Sequence, residues 1–337
     1  MQTRPRPTPR AGEVLIEVSH CGVCGTDLHD VLDGWGAPGR IGGHEYSGRI
    51  VGIGPGVEGW AIDTPVVGGP VGGCGTCDPC ASGRPSVCDN RSFSPGVTEF
   101  EGAFAEYVKL PADRLVALPD GLSVRHAALA EPLAVAMHAI TVSRWRPDQQ
   151  VIVFGVGPIG ALIAAALMAS GVRPADLTVV EPSPERQALA LALGAATVIG
   201  PDMLEVPSIA EPARIVDGAV HVVFECSGHR SAMEAGLAQL RRVGTLVIVG
   251  SGMDPPHFDA NRILLNELTV TGAFNYDAHG FEAALDLLAS GKLPLDLLVH
   301  PVDVGLHDLR LSMEQLRAGE IRGKVLVDPK LTDGANE

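Results

Sequence analysis

Aromatic side chains make up only 4% of the 337 residues, so Ala, Val and Leu must fill whatever core the chain builds. Apolar residues still reach 46%, which suits the aliphatic, fully buried strands of a parallel sheet and points to an α/β protein. Positive charge is scarce as well: 25 Lys and Arg face 40 Asp and Glu, for a net charge of −15. No basic excess exists to release counterions from a phosphate backbone, which argues against a nucleic-acid partner. No stretch reaches the roughly 18 apolar residues a spanning helix needs. Met1 to Arg10 is rich in Arg and Pro with no apolar run behind it, so neither a signal peptide nor a membrane anchor is read there. A soluble cytoplasmic protein without a membrane partner is expected. Seven cysteines could mean disulfides, but in a reducing compartment the clustered thiols among them read as metal ligands. The length is that of about two domains, each able to bury its own core.

Glycine, by contrast, is plentiful at 41 residues, and much of it surrounds reactive side chains. Between Cys21 and Glu45 stand a thiol at Cys24, a hydroxyl at Thr26, imidazoles at His29 and His44, and a carboxylate at Glu45. All precede any long helical pattern. Zinc takes thiolate, imidazole and carboxylate ligands, and a catalytic site uses three while leaving a fourth position for water or substrate. Cys24 and His44 are the strongest candidates for two of the three. A second cluster, Cys74, Cys77, Cys80 and Cys88, follows C-x2-C-x2-C-x7-C in a loop of Gly, Pro, Asp and Ser. Four thiolates close a tetrahedral structural zinc site that has no room for substrate and pins a loop. Scattered core thiols would have apolar neighbours. A ferredoxin-type iron–sulfur run would have a shorter last gap and Pro where Asp89 stands.

Ala11 to His20 alternates apolar and polar residues as a half-buried strand does, and Ile50 to Val57 is another strand broken by Gly52, Gly54 and Gly56. Turn-rich sequence continues to about Pro119, so this third should be mostly β with long loops. From Ser123 the apolar spacing predicts a helix interrupted at Pro132. Residues 150 to 250 then alternate strand and helix, which means a parallel sheet with helices on both faces. A helix over 281–291 and a strand over 321–329 close the chain.

Gly155, Gly157 and Gly160, with Pro158 and Ile159 among them, form G-x-G-x-x-G between an apolar strand and a helix. Such a turn lets a pyrophosphate approach the helix N-terminus, where unpaired N–H groups and the dipole favour an anion. Glu181 ends the next strand about 20 residues on, where an acid accepts hydrogen bonds from an adenosine ribose. A carboxylate there repels a 2′-phosphate, so NAD is expected over NADP. Arg186, five residues further along, could soften that preference or lie on a solvated helix face.

On these motifs the chain resembles the medium-chain, zinc-dependent dehydrogenases, and within them the polyol group of sorbitol and butanediol dehydrogenases. The carriers are CGVCGTDLH at 21–29, GHEYSGRIVGIGPGV at 43–57, the four-cysteine lobe, AEPLAVAMHA at 130–139, and GVGPIG followed by VVEPSPER. They span nearly all of the chain in the family's order. The resemblance implies a GroES-like, mostly-β catalytic domain built from residues 1–145 and 286–337, with a structural zinc lobe at 74–88. A Rossmann domain with a doubly wound parallel sheet would occupy 146–285. It also implies a homodimer or homotetramer.

Carried over residue by residue, Cys24, His44 and Glu131 would bind the catalytic zinc. Glu45 would sit behind the metal, orienting the shell or exchanging with water. Thr26 would take the hydroxyl proton and His29 would pass it outward by way of the nicotinamide ribose. The implied activity is hydride transfer between a secondary alcohol and NAD, giving a ketone. Asp30, Trp35, Asn275 and Tyr276 suggest a pocket of mixed aromatic and polar walls, hence a polyol, diol, sugar or cyclitol. Amino alcohols such as threonine are the near alternative.

A zinc-free enone or quinone reductase would not need Cys24, His44 and Glu131 together. A silent NAD-binding protein should carry one zinc per chain or none rather than two. His138 reads as a core histidine, and Cys21 and Cys226 as small buried thiols. Two features depart from the family. The chain starts at a point equivalent to the family's second or third strand, and AIDTPVV at 61–67 replaces the usual Gly-Asp-Arg-Val turn.

Overall fold

A computed structural model describes residues 2–69, 72–90 and 101–332. Its contacts divide the chain into two units. One holds the chain up to Ala134, Tyr276–Ala318 and Lys324 onward; the other holds Val135–Asn275 and Gly319–Gly323. The first boundary lies inside the helix Ala130–Ser143 and the second just before the helix Gly280–Ala289, about ten residues before the bounds that the resemblance implies at 145 and 285.

The first unit contains β1 (Glu13–Gly22), β2 (Glu45–Ile53), β3 (Pro65–Gly68), β4 (Tyr107–Pro111) and β5 (Leu115–Ala117). The second contains β6 (Val151–Phe154), β7 (Leu177–Val180), β8 (Thr197–Ile199), β9 (Val220–Glu225), β10 (Leu240–Ile248) and β11 (Thr269–Gly272). The chain then returns to the first unit with β12 (Leu326–Val327).

In the first unit the sheet order is β12-β1-β2-β3-β5, with β4 pairing β1, and these pairs run antiparallel. The alternation in β1 turns Val14, Ile16 and Val18 wholly inward beside Ile50, Val66, Val108 and Leu110. Each such burial contributes about 1.5–3 kcal/mol relative to exposure. Register places Gly22 opposite Glu45 on one side and Leu326 on the other.

Three local expectations are corrected. β2 begins at Glu45 rather than Ile50 and stops at Ile53. Gly52 lies within the strand without breaking it, Gly54 and Gly56 fall beyond its end, and a Cβ on Gly48 would strike the Glu17 carbonyl, so glycine there allows β1 and β2 to approach. A helix, Gly25–Leu32, follows Cys24; at eight residues it is too short to show a clear period. Pro132 does not interrupt a helix. It lies in the first turn of Ala130–Ser143, where a missing N–H costs nothing, and the break falls between that helix and Val124–Ala127.

The second unit has a parallel sheet in the order β11-β10-β9-β6-β7-β8. The chain proceeds outward from β6 to β8, then crosses to β9 and proceeds the other way. The reversal between β6 and β9 is a topological switch point, where such sheets bind ligands beyond the strand C-termini. Val151, Val153, Val223, Phe224, Leu246 and Val247 are fully buried, as strands covered on both faces require. Among the described residues no helix is long and apolar enough to cross a membrane.

Candidate metal and cofactor sites

Cys24 leaves the end of β1 and His44 leads into β2, so the pairing of Gly22 with Glu45 draws the two together across a connection that includes the helix Gly25–Leu32. Ligand atoms of Cys24, His44 and Glu45 all lie within 4.8 Å of one another. Glu131, at the start of its helix and buried, stands outside that trio yet inside the same charge cluster. Burial pushes its carboxyl up to about 7, with Glu45 and Asp27 adding to the rise and His44 and Lys324 opposing it.

Two members of this cluster had not been singled out in the sequence. Asp27 is buried, accepts the backbone N–H of Cys24 at 2.9 Å and of Gly43 at 3.3 Å, and stands 3.8 Å from His44 Nδ1. It fastens both ligand loops. Lys324 donates to Glu45 Oε1 at 2.6 Å and to the Val23 carbonyl at 3.1 Å. A lysine inside the apolar run beginning Lys324-Val325-Leu326-Val327 was the available signal, since a buried charge must be paired.

The cluster has the charge of a cation site. Cys24, Asp27, Glu45 and Glu131 confront one lysine and one imidazole, so protons accumulate. Burial raises the Asp27 carboxyl. Burial opposes protonation of His44, yet Asp27, Cys24 and Glu131 carry its pKa well above the ordinary range. A divalent cation replaces those protons when it takes deprotonated ligands. Thiolate, imidazole and carboxylate together fit zinc.

Thr26 is exposed on the first turn of helix Gly25–Leu32, 3.7 Å from Cys24 Sγ. His29 is one turn further on the same helix. Its ring stacks on Trp35 at 4.7 Å, and its Nδ1 lies 2.7 Å from Asp33, whose two oxygens Arg317 grips at 2.9 Å each. His29 and Arg317 hold the Asp33 carboxyl below its usual range, so Asp33 is the acceptor. Of the suggested pocket residues, Tyr276 is buried edge-on against Phe281.

The sulfur atoms of Cys74, Cys77, Cys80 and Cys88 also lie within 4.8 Å of one another, and none of the seven cysteines is in a disulfide. Cys77 and Cys88 Sγ are 3.8 Å apart. A tetrahedron with Zn–S bonds of about 2.3 Å needs sulfurs about 3.8 Å apart, so the lobe fits zinc. Hydrogen bonds from Thr76 first, then from Asn90 and the Cys77 N–H, bring the Cys74 thiol down to about 5.

In the second unit Gly155 takes a φ of 81° at the end of β6, and its N–H bonds the Val180 carbonyl at 2.8 Å. A Cβ on Gly160 would strike the Gly155 carbonyl. Gly157 caps the helix Pro158–Ala169 without a side-chain cap, and a Cβ there would meet only Arg186 Nη1, at 4.0 Å. The uncapped N-terminus with open space before it is the cradle a pyrophosphate needs. Glu181 is buried and accepts the N–H of Val156 at 2.7 Å and of Ser183 at 3.0 Å. Arg186 leans toward the glycine turn and the Ile321 carbonyl rather than lying on a solvated face.

Residues 10–120 match the alcohol dehydrogenase GroES-like domain, and residues 158–290 match the zinc-binding dehydrogenase model. The chain is 35% identical over 297 residues to 2-dehydro-3-deoxy-L-galactonate 5-dehydrogenase of Pseudoalteromonas atlantica, covering 87% of this chain and 85% of that protein. It is 32% identical to the solved 2R,3R-butanediol dehydrogenase of Bacillus subtilis, with a TM-score of 0.83 over 98% of this chain and 96% of that one. A structure from Sinorhizobium meliloti, described as a zinc-binding dehydrogenase bound to NADP, is 28% identical with a TM-score of 0.83, covering 97% and 95%. The chain therefore belongs to the zinc-dependent medium-chain alcohol dehydrogenase family. It is an alcohol oxidoreductase that uses a nicotinamide dinucleotide, built from a GroES-like and a Rossmann-type domain.

Proposed function

We propose that the protein interconverts a secondary alcohol of the polyol, diol, sugar or cyclitol class and its ketone, with NAD as the hydride carrier. The observation that carries this reading is the cluster of half-buried Cys24 and His44 with buried Glu45 and, beside them, buried Glu131, whose excess of acidic ligand groups calls for a divalent cation. The relatives named for a diol and a sugar acid support the substrate class. Cys24, His44 and Glu131 would hold a catalytic zinc, with Glu45 behind them; Cys74, Cys77, Cys80 and Cys88 would hold a structural one. When bound, the catalytic metal supplies Lewis-acid polarisation of the substrate oxygen and the nicotinamide supplies the hydride acceptor.

The chain itself moves the proton. Thr26 Oγ1 accepts the proton of the substrate hydroxyl as it gives up its own, and His29, on the same face one turn along, is the acceptor further out. The Asp33 carboxylate claims the hydrogen on His29 Nδ1, which leaves Nε2 as the receiving atom. Glu181, at the end of β7, disfavours a 2′-phosphate, while Gly155, Gly157, Pro158, Ile159 and Gly160 form the pyrophosphate cradle. Arg186 beside that cradle tempers the preference for NAD. Family membership also carries the inference of a homodimer or homotetramer, which light scattering checks.

The test is a screen of polyols, diols and cyclitols with NAD and NADP in turn, following reduced-cofactor absorbance. Turnover with NAD at a kcat/KM at least tenfold above that with NADP is expected. Reduction of neither cofactor by any alcohol, or a preference for NADP, overturns the reading.

A further inference from the structure

We propose that Arg317 is a positioning residue of the proton relay: its guanidinium clamps both oxygens of Asp33, and through Asp33 it sets the tautomer and the aim of His29. This rests on the reading that His29 takes the proton on from Thr26.

The three residues come from two helices of the first unit. His29 lies on Gly25–Leu32, and Asp33 is the residue that closes that helix. Arg317 stands in the last turn of Leu309–Ala318, which packs beside it with Met313 and Leu316 buried. Arg317 Nη1 donates to Asp33 Oδ1 and Nη2 to Oδ2, each at 2.9 Å, and Nη2 reaches the Leu28 carbonyl at 3.4 Å. Two parallel bonds of this kind fix the plane of a carboxylate as well as its place. With that plane set, Oδ2 stands 2.7 Å from His29 Nδ1, and the imidazole stacks on Trp35 with 20° between the rings. Held at one edge and on one face, the ring has little freedom to turn.

Stability does not explain the arrangement. Asp33 stands at the C-terminal end of its helix, where the dipole disfavours a carboxylate. The side chains of Arg317 and Asp33 are 43% and 24% exposed, and ion pairs open to water contribute little. A residue that breaks a local rule without a gain in stability marks a functional site. The function here is to accept the hydrogen on His29 Nδ1, so that the neutral ring offers Nε2 as a base. Hydrogen bonds from His29 and then Arg317 lower the Asp33 carboxyl below its ordinary range, which keeps it an acceptor.

Arg317 makes Asp33 dependable in that role. Freed of the guanidinium, the carboxylate is repelled by the carbonyls that end the helix and turns toward solvent. His29 then exchanges between tautomers, and the one with hydrogen on Nε2 cannot receive a proton there. Arg317 acts on the relay only through Asp33.

The test measures alcohol oxidation by the zinc-loaded protein with NAD and the best substrate of the polyol and diol screen. Arg317→Met should lower kcat about tenfold or more, while KM for the alcohol and Kd for NADH stay within about twofold. The solvent deuterium isotope effect on kcat should rise, because proton departure then limits turnover; a lesion that merely loosens the fold does not produce that shift. Asp33→Asn should lose kcat to a similar degree. Combining it with Arg317→Met should lower turnover no further, as with two parts of one device.

Undiminished kcat in Arg317→Met, or losses that multiply in the double variant, overturn the proposal. If Arg317→Met does not fold, Arg317→Lys decides alone. It keeps the charge without the fork, so kcat should fall about threefold or more with the same rise in isotope effect, and unchanged kinetics overturn the proposal. A different failure belongs to the underlying reading. If His29→Ala turns over as fast as the unmodified protein, the relay itself is misassigned and the proposal falls with it.

Discussion

Removing the catalytic metal should leave a protein whose stability falls as the pH rises from about 5 to about 8. Glu131 is 6% exposed, and burial carries its carboxyl from the ordinary 4.5 to about 7. A carboxyl with a higher pKa folded than unfolded binds its proton more tightly in the native state. Its stabilisation is complete below the unfolded value and is lost as the pH climbs through the folded one. At about 1.4 kcal/mol per pKa unit, Glu131 alone removes about 3 kcal/mol across that window. His44 is displaced upward too, and an imidazole raised on folding likewise stabilises in acid and ceases to do so as the pH rises, so the two effects add. Asp27, raised by burial, acts with the same sign.

Metal loading reverses the trend, because the ligands must be deprotonated to bind. The assay is urea unfolding of chelator-stripped and zinc-loaded protein across this pH range, repeated for Glu131→Gln. The stripped protein should lose stability on alkalinisation, and Glu131→Gln should lose about 3 kcal/mol less. A stripped protein equally stable at both ends, or a Glu131→Gln variant with the same slope, refutes the reasoning.

Val243, 71% exposed in β10, holds a φ of 63°, a conformation that strains a β-branched residue by about 1–3 kcal/mol. Val243→Gly should therefore raise the unfolding free energy by about 1 kcal/mol, read from the urea midpoint, and an unchanged or lower midpoint contradicts it. Gly160→Ala drives a Cβ into the Gly155 carbonyl, so the helix must retreat from the glycine turn. NADH titration should show at least a tenfold loss of affinity with the four-cysteine zinc retained. Unaltered affinity would remove the turn from the cofactor site.

What could be read from the sequence was what depends on local spacing. Val14, Ile16 and Val18 alternate, so β1 declares itself, and four thiols at short intervals can reach one point without help from the rest of the chain. The glycine turn was legible because Gly155, Gly157 and Gly160 sit between an apolar strand and an apolar helix. What could not be read depends on partners distant in sequence. Lys324 meets Glu45 across 279 positions, and nothing near either residue names the other. The trio formed with Glu45 rather than Glu131 is likewise a tertiary outcome, set by the register of Gly22 with Glu45. Gly52 misled in the opposite direction: it reads as a strand breaker and lies inside β2, while Gly48 in the same strand is the condition for β1 and β2 to touch.

The most direct measurement is zinc per chain, by elemental analysis, in the unmodified protein and in Cys24→Ser. About two are expected in the first and about one in the second, with dehydrogenase turnover lost and NADH binding retained. Equal zinc in both, or a Cys24→Ser variant with normal turnover, would contradict the account.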